Sequence, residues 1–303
     1  MKSSCPLCHS DDFSYVFKPL PGHADASVVK CRSCGHVYTK LTKPVDFSSL
    51  YSDEVYEVVE NRKSIFDKIL SWEYRRVLRS AKKLLSPPYQ LLDFGSGKGK
   101  LGSLAKEEGW EVKCVETSAQ RAAYAREIYG LDVSSDFFTS GQIFGMRFNL
   151  ITLFHVLEHL PEPTALLAEL TQANLDRNGI LLIEVPNIRS WQARLSGSRW
   201  MHLDVPRHIN HFSPARLEKF MNALAFEPVR KSFFSFHLGV LGMTDSLLKL
   251  FGYKKNIIVE LKKSKSKARF VPVLIVLPFA FMLEALASLF QSGGVIRMYL
   301  VKK

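Results

Sequence analysis

Leu91-Leu-Asp-Phe-Gly95-Ser-Gly97-Lys-Gly99 decides the fold. Apolar residues and one acid run directly into three glycines, which predicts a buried strand over Gln90–Phe94, a glycine turn, and a helix over Lys100–Glu108. Such a unit aims backbone N–H groups and a helix N-terminus at a ligand. The glycines permit close approach and a positive φ. A second strand, Glu111–Glu116, ends in a carboxylate about twenty residues past the turn, where an acid accepts hydrogen bonds from ribose hydroxyls. The ligand is therefore read as a nucleoside. The spacing GxGxG departs from the dinucleotide fingerprint GxGxxG. Neither Gly-Lys pair is followed by Ser or Thr, so a P-loop fails too. Asp93 adds an acid suited to a cationic or amine-bearing ligand.

Downstream, β and α patterns alternate. A helix is predicted over Ser118–Tyr129, with Ser118 as N-cap and Gly130 as its stop. Strands follow at Leu131–Ser134 and Phe148–Phe154, then a helix at Glu162–Leu175. Asn178-Gly179 turns into a strand at Gly179–Val185. This order predicts an α/β, doubly wound, mostly parallel sheet, with ligands at the carboxyl ends of its strands. Asp136, Phe137, Phe154 and His155 fall at that edge. Residues 61–85 carry helical apolar spacing and lead into the first strand, with Pro87-Pro88 as the break.

Four motifs in order, DFGSGKG, VETS, FHVLEHLPEP and GILLIEVPN, resemble a class I S-adenosylmethionine (SAM) methyltransferase. The likeness is nearest to small-molecule and sugar methyltransferases with an N-terminal zinc ribbon, and covers roughly residues 1–230. It implies a seven-stranded Rossmann-like sheet and SAM as cofactor. It also implies that Asp93, Gly95, Ser96, Gly97 and Gly99 hold the methionine end and the turn, and that Glu116, with Thr117 beside it, takes the ribose. Asp136 and Phe137 lie where such enzymes read adenine, and Phe154 and His155 complete the cofactor edge. The implied acceptor is a small molecule, a sugar or a lipid-linked glycan of cell-surface polysaccharide synthesis. A nicotinamide oxidoreductase, a zinc-ribbon nucleic-acid-binding or RNA-modifying protein, and a quinone-type O-methyltransferase are the alternatives. Nucleic acid is disfavoured because residues 1–43 lack interleaved basic and aromatic residues.

Cys5-Pro-Leu-Cys8 and Cys31-Arg-Ser-Cys34 form two CxxC knuckles. Their spacing fits a structural Cys₄ zinc site. His9 and His36 flank the knuckles as bystanders or as groups that support the ligands, since four thiolates already fill the site. Cys114, mid-strand, reads as a small buried apolar residue.

His155-Val-Leu-Glu158-His159 matches HxxEH, which is a metalloprotease pattern only on a helix. Here it follows a buried strand and runs into Leu160-Pro161. The resemblance to quinone methyltransferases that hold a divalent ion is weakened by His155, where those carry a carboxylate. Glu158 and His159 are read as orienting the substrate or as acid/base groups. Residues 188–213 resemble a substrate lid, concentrating Arg207, His208 and His211 in a loop. His159, His208 and His211 are the candidates for taking a proton from a hydroxyl acceptor.

The 303 residues carry a formal charge of +12 and 47% apolar residues, which excludes a globally disordered chain and suits an anionic partner. The predicted division is a ribbon over 1–43, a linker and helix over 44–88, with Phe47, Tyr51 and Tyr56 in the linker, a SAM-binding core over 89–230, and an apolar helical insertion with a final strand over 231–303. Lys262–Arg269, KKSKSKAR, precedes an apolar stretch from Phe270 to Phe290. A helix or hairpin lying in an anionic membrane surface through 262–291 is preferred to a buried helix or dimer interface, and to a span, which Val295–Lys302 opposes by alternating like the last, antiparallel strand of the sheet. The polar N-terminus carries no signal peptide pattern. The expected location is the cytoplasm, peripheral at the inner face of the plasma membrane.

Overall fold

The computed structural model describes residues 4–17, 25–43, 65–253 and 271–303. The linker aromatics Phe47, Tyr51 and Tyr56 and the KKSKSKAR run lie outside them. The chain divides into two compact units. One comprises Met1–Val55, Pro186–Arg216 and Ser232–Ile296; the other comprises Tyr56–Val185, Leu217–Lys231 and Arg297–Lys303.

The first unit begins with three antiparallel strands, β1 (Phe13–Phe17), β2 (Ala26–Cys31) and β3 (Val37–Leu41). A short strand, β9 (Asn210–His211), pairs with β3 through Val37↔His211 and Tyr38↔Asn210. Ala26 and Val28 share an apolar cluster with Trp200, Leu203 and Val205. Those two contacts explain why the segment expected as part of the SAM-binding core groups with the ribbon instead. Helix α5 (Trp191–Ser196) starts at Ser190, whose side chain accepts the Ala193 N–H. The apolar stretch from Phe233 resolves into a π-turn over Phe236–Val240 and helix α7 (Leu241–Leu250). Helix α8 (Val271–Leu289) packs on it through Val240, Met243 and Ala280.

The second unit is built on a seven-stranded sheet. Its strands are β4 (Gln90–Phe94), β5 (Glu111–Val115), β6 (Asp132–Ser134), β7 (Phe148–Phe154), β8 (Leu175–Pro186), β10 (Phe226–Ser232) and β11 (Val295–Lys302). The spatial order is β10-β11-β8-β7-β4-β5-β6. The pairings β4–β5, β4–β7, β5–β6 and β7–β8 are parallel. Helices α1 (Ile65–Lys82), α2 (Lys100–Glu107), α3 (Ala119–Tyr129), α4 (Pro163–Asn174) and α6 (Pro214–Ala223) complete the Rossmann-like arrangement. Val77, Leu78 and Ala81 of α1 bury against Leu101, Leu104 and Leu150, so the apolar spacing of 61–85 does face a core. Gly130 ends α3 at φ 57°, a left-handed stop that glycine adopts without steric cost.

Two local readings differ. Asn178-Gly179 is not a turn into a strand but part of one continuous strand. Phe148 pairs with Leu175 and Leu150 with Ile180, so the extra residues of β8 bulge out between these pairs. Ser118 holds the N-cap position but makes no side-chain capping bond; its N–H donates to Glu116 instead.

Candidate active site

The strand order reverses at β4, whose neighbours are β5 and β7. At such a switch point the loops after the strands part and leave a crevice for ligand. The glycine turn follows β4 there. The N–H groups of Gly95 and Ser96 both donate to Val115 O, which ties the turn to the end of β5. Gly95, Gly97 and Gly99 all have positive φ, at 77°, 56° and 76°.

The three glycines are not equivalent. A Cβ on Gly95 would stand 2.4 Å from Val156 Cγ2, and one on Gly99 would stand 2.6 Å from Leu131 Cδ1. Both are packing positions. A Cβ on Gly97 would meet no protein atom within 4 Å. Gly97 therefore faces open space at the turn's tip.

Glu116 closes the other side. Its Oε2 accepts the Gly97 N–H at 2.8 Å and its Oε1 the Ser118 N–H at 2.8 Å. Asp93 is buried, and its Oδ1 accepts the Thr152 hydroxyl at 2.7 Å. Burial, offset in part by that hydrogen bond, raises its carboxyl to about 6, with the nearby Glu116 charge adding to the rise. Thr117 and Asp136 are exposed. Phe137 is 81% exposed, so it is not a core residue; the neighbouring Phe138 is half-buried, edge-on to Phe94 at 6.0 Å.

A family model described as a methyltransferase domain matches residues 66–231, more than half of the chain. The chain belongs to this methyltransferase family. Its sheet is that of the class I SAM-dependent enzymes. Among solved structures, a SAM dependent methyltransferase from Archaeoglobus fulgidus aligns with a TM-score of 0.50 at 18% identity, over 83% of this chain and 100% of that one. The [4+2]-cyclase SpnF aligns with a TM-score of 0.50 at 15% identity, over 80% of this chain and 85% of that one. These likenesses are of fold, and a fold shared with a cyclase does not by itself name a reaction. No curated protein sequence matches the methyltransferase significantly.

The end of β7 in the methyltransferase carries a charge chain that the sequence reading missed. His155, at φ 56°, donates from Nδ1 to Glu158 Oε1 at 3.0 Å and from Nε2 to Glu184 Oε1 at 3.2 Å. Glu184 also accepts from Arg297, whose other nitrogen reaches Glu73 Oε1 at 2.9 Å. Burial alone would push the His155 imidazole down; the two carboxylates reverse that and raise it to about 10. Glu184 moves the other way, burial being outweighed by Arg297 and His155. His155 thus enters as an imidazolium with both nitrogens engaged by carboxylates. A lone acid in the apolar run Ile180–Val185 and a lone Arg in β11 were the sequence signals for this pairing. Glu158 and His159 sit on a single 3₁₀ turn, Leu157–His159, and not on the α-helix that a metalloprotease pattern needs.

The other expected histidines belong to the first unit. His208 is buried, with Nδ1 2.8 Å from His202 O and Nε2 3.7 Å from Asp204 Oδ2. His211 is not in a loop. It lies on β9, where its Nε2 is 2.9 Å from the Thr39 hydroxyl, and burial lowers it to about 3. Arg207 binds Asp204 at 2.6 Å.

The four knuckle cysteines converge. Their sulfurs all lie within 4.8 Å of one another, with Cys5–Cys34 at 3.6 Å and Cys8–Cys31 at 3.5 Å. Tetrahedral zinc with bonds of about 2.3 Å sets sulfurs about 3.8 Å apart, so the donor set fits. His9 is exposed, while His36 is buried and bonds to Asn210 Oδ1 at 3.0 Å. Cys114 is fully buried among Ala122, Ala125 and Val133, as a small apolar residue would be.

Proposed function

We propose that the methyltransferase moves a methyl group from SAM to a hydroxyl-bearing small molecule, sugar or lipid-linked glycan of cell-surface polysaccharide synthesis. The observation that carries the cofactor placement is the pairing of an open Gly97 turn with the Glu116 carboxylate. A carboxylate offers about four lone-pair sites, and two backbone N–H groups use two of them. The remainder are free in number to accept two ribose hydroxyls. Asp93, Ser96 and the glycine turn take the methionine end, Thr117 flanks the ribose, and Asp136 with the exposed Phe137 takes the base. Phe154 and His155 border this edge. The acceptor class rests on resemblance.

When bound, SAM supplies an electrophilic methyl on a sulfonium. The chain's residues then have to hold the acceptor in line and accept its proton. Of the candidate bases, His208 has the geometry that supports the role. Its Nδ1–H donates to the His202 carbonyl, which leaves Nε2 as the basic nitrogen, and Asp204 stands by to stabilise the imidazolium. His159 remains a second candidate. The buried neutral ring of His211, bonded to Thr39, supports a structural role for that residue. The four knuckle cysteines hold structural zinc.

Incubation with isotope-labelled SAM and a panel of sugar nucleotides and membrane glycolipid extracts tests the reading. One product heavier by a labelled methyl is expected, with transfer reduced in His208→Ala. Transfer only to nucleic acid in a parallel arm would replace the acceptor class.

A further inference from the structure

Helix α8 spans 19 residues, and Glu284 is its only charged residue. One face is built into the first unit. Ala280 and Ala287 are fully buried, and Glu284, also buried, accepts the Gly294 N–H at 2.6 Å and the Gln192 amide at 3.3 Å. Among the described residues, the opposite face is exposed. Leu274, Ile275, Phe279, Met282, Leu286 and Leu289 recur at helical spacing and are 45–78% exposed. A contiguous apolar face of this length is not left in water without a purpose.

The ends of the apolar face are informative. Leu248 near the end of α7 clusters with Val273 and Val276 at the start of α8. The exposed Leu250 and Phe251 therefore belong to the same end as the start of α8. The connection from Tyr253 to Val271 joins α7 to α8 in sequence. Its sequence over 254–269 holds Lys254, Lys255, Lys262, Lys263, Lys265, Lys267 and Arg269 against a single acid, Glu260. Dense positive charge in the sequence that adjoins an apolar helix face suits an anionic bilayer, in which apolar side chains enter the headgroup boundary while cations meet lipid phosphates. A second copy is opposed by charge, since each chain carries a formal +12. A transmembrane course is opposed by the buried Glu284 face.

We infer that α8 docks the methyltransferase on an anionic lipid surface, its exposed apolar face in the interface. This goes beyond the acceptor reading and does not depend on it.

Flotation of the full-length protein with phosphatidylcholine vesicles, with and without phosphatidylglycerol, tests the inference. Binding to the anionic vesicles is expected, at least tenfold weaker on phosphatidylcholine alone and weakened by salt. Leu274→Glu with Phe279→Glu and Met282→Glu should abolish it while circular dichroism and zinc content stay at wild-type values. Charge reversal of Lys262, Lys263, Lys265 and Lys267 should cut it at least tenfold. Failure of the wild type to float with anionic vesicles would overturn the inference without any variant. So would a dimer, seen by light scattering, that the triple substitution dissociates and lipid does not.

Discussion

Glu116 reaches back from the end of β5 to accept the Gly97 N–H at 2.8 Å. The acid that would hold a ribose and the turn that would hold the rest of the nucleoside are thereby one piece. The second oxygen, on the Ser118 N–H, extends that piece to the start of α3. Few groups have to be ordered when a ligand arrives, which keeps the entropic cost of binding low.

The glycine turn separates ligand space from packing space. Gly97→Arg places its side chain in the open region and adds left-handed strain of about 1–2 kcal/mol. SAM binding, followed by isothermal titration, should be lost, with zinc content unchanged. Gly99→Ala instead drives a methyl against Leu131 and Ala125. Its melting temperature should fall, by the equivalent of about 1–3 kcal/mol of overpacking.

The chain Glu158–His155–Glu184–Arg297–Glu73 should dominate the alkaline stability of the methyltransferase. His155 titrates at about 10 in the folded protein against 6.5 as a free group. A raised folded value gives stabilisation that is complete below pH 6.5 and lost as pH climbs toward 10. The urea-unfolding difference between wild type and His155→Gln should therefore be large at pH 6 and shrink toward pH 10. Arg297→Met takes the guanidinium from buried Glu73 and leaves Glu184 with His155 alone, and should cost about 3–5 kcal/mol at pH 7.

Zinc should be present at one equivalent per chain by elemental analysis. Cys34→Ser removes one thiolate from the four and should release it. A strong chelator should then lower the stability of the strands β1–β3, because so small a module has little core of its own. Retention of a full equivalent in Cys34→Ser would mean that the sulfurs are not its ligands.

Periodicity made the nucleoside-binding sheet readable. Gln90–Phe94, Phe148–Phe154 and Val295–Lys302 form strands at the residues expected, because continuous or alternating apolar runs bounded by turn residues leave little choice. The lid segment was not readable in that way. Asn210-His211 carries no apolar alternation; it becomes a strand only because β3 offers it an edge. The role of Arg297 was hidden for a related reason. Its partners Glu184 and Glu73 lie 113 and 224 residues away in the chain, and no local pattern reports a pairing made by the sheet. The same holds for His155, which looked like an edge residue open to ligand and is held by two carboxylates. Phe137 and Phe138 are adjacent and of one type, so which of them faces solvent depended on the backbone after β6.

The central claim is that SAM lies against the Gly97 turn with its ribose on Glu116, and isothermal titration of SAM into wild type and Glu116→Ala tests it most directly. The account predicts saturable binding to the wild type and a loss of affinity of tenfold or more, about 1.4 kcal/mol, in the variant. Equal affinity in the two proteins would contradict it.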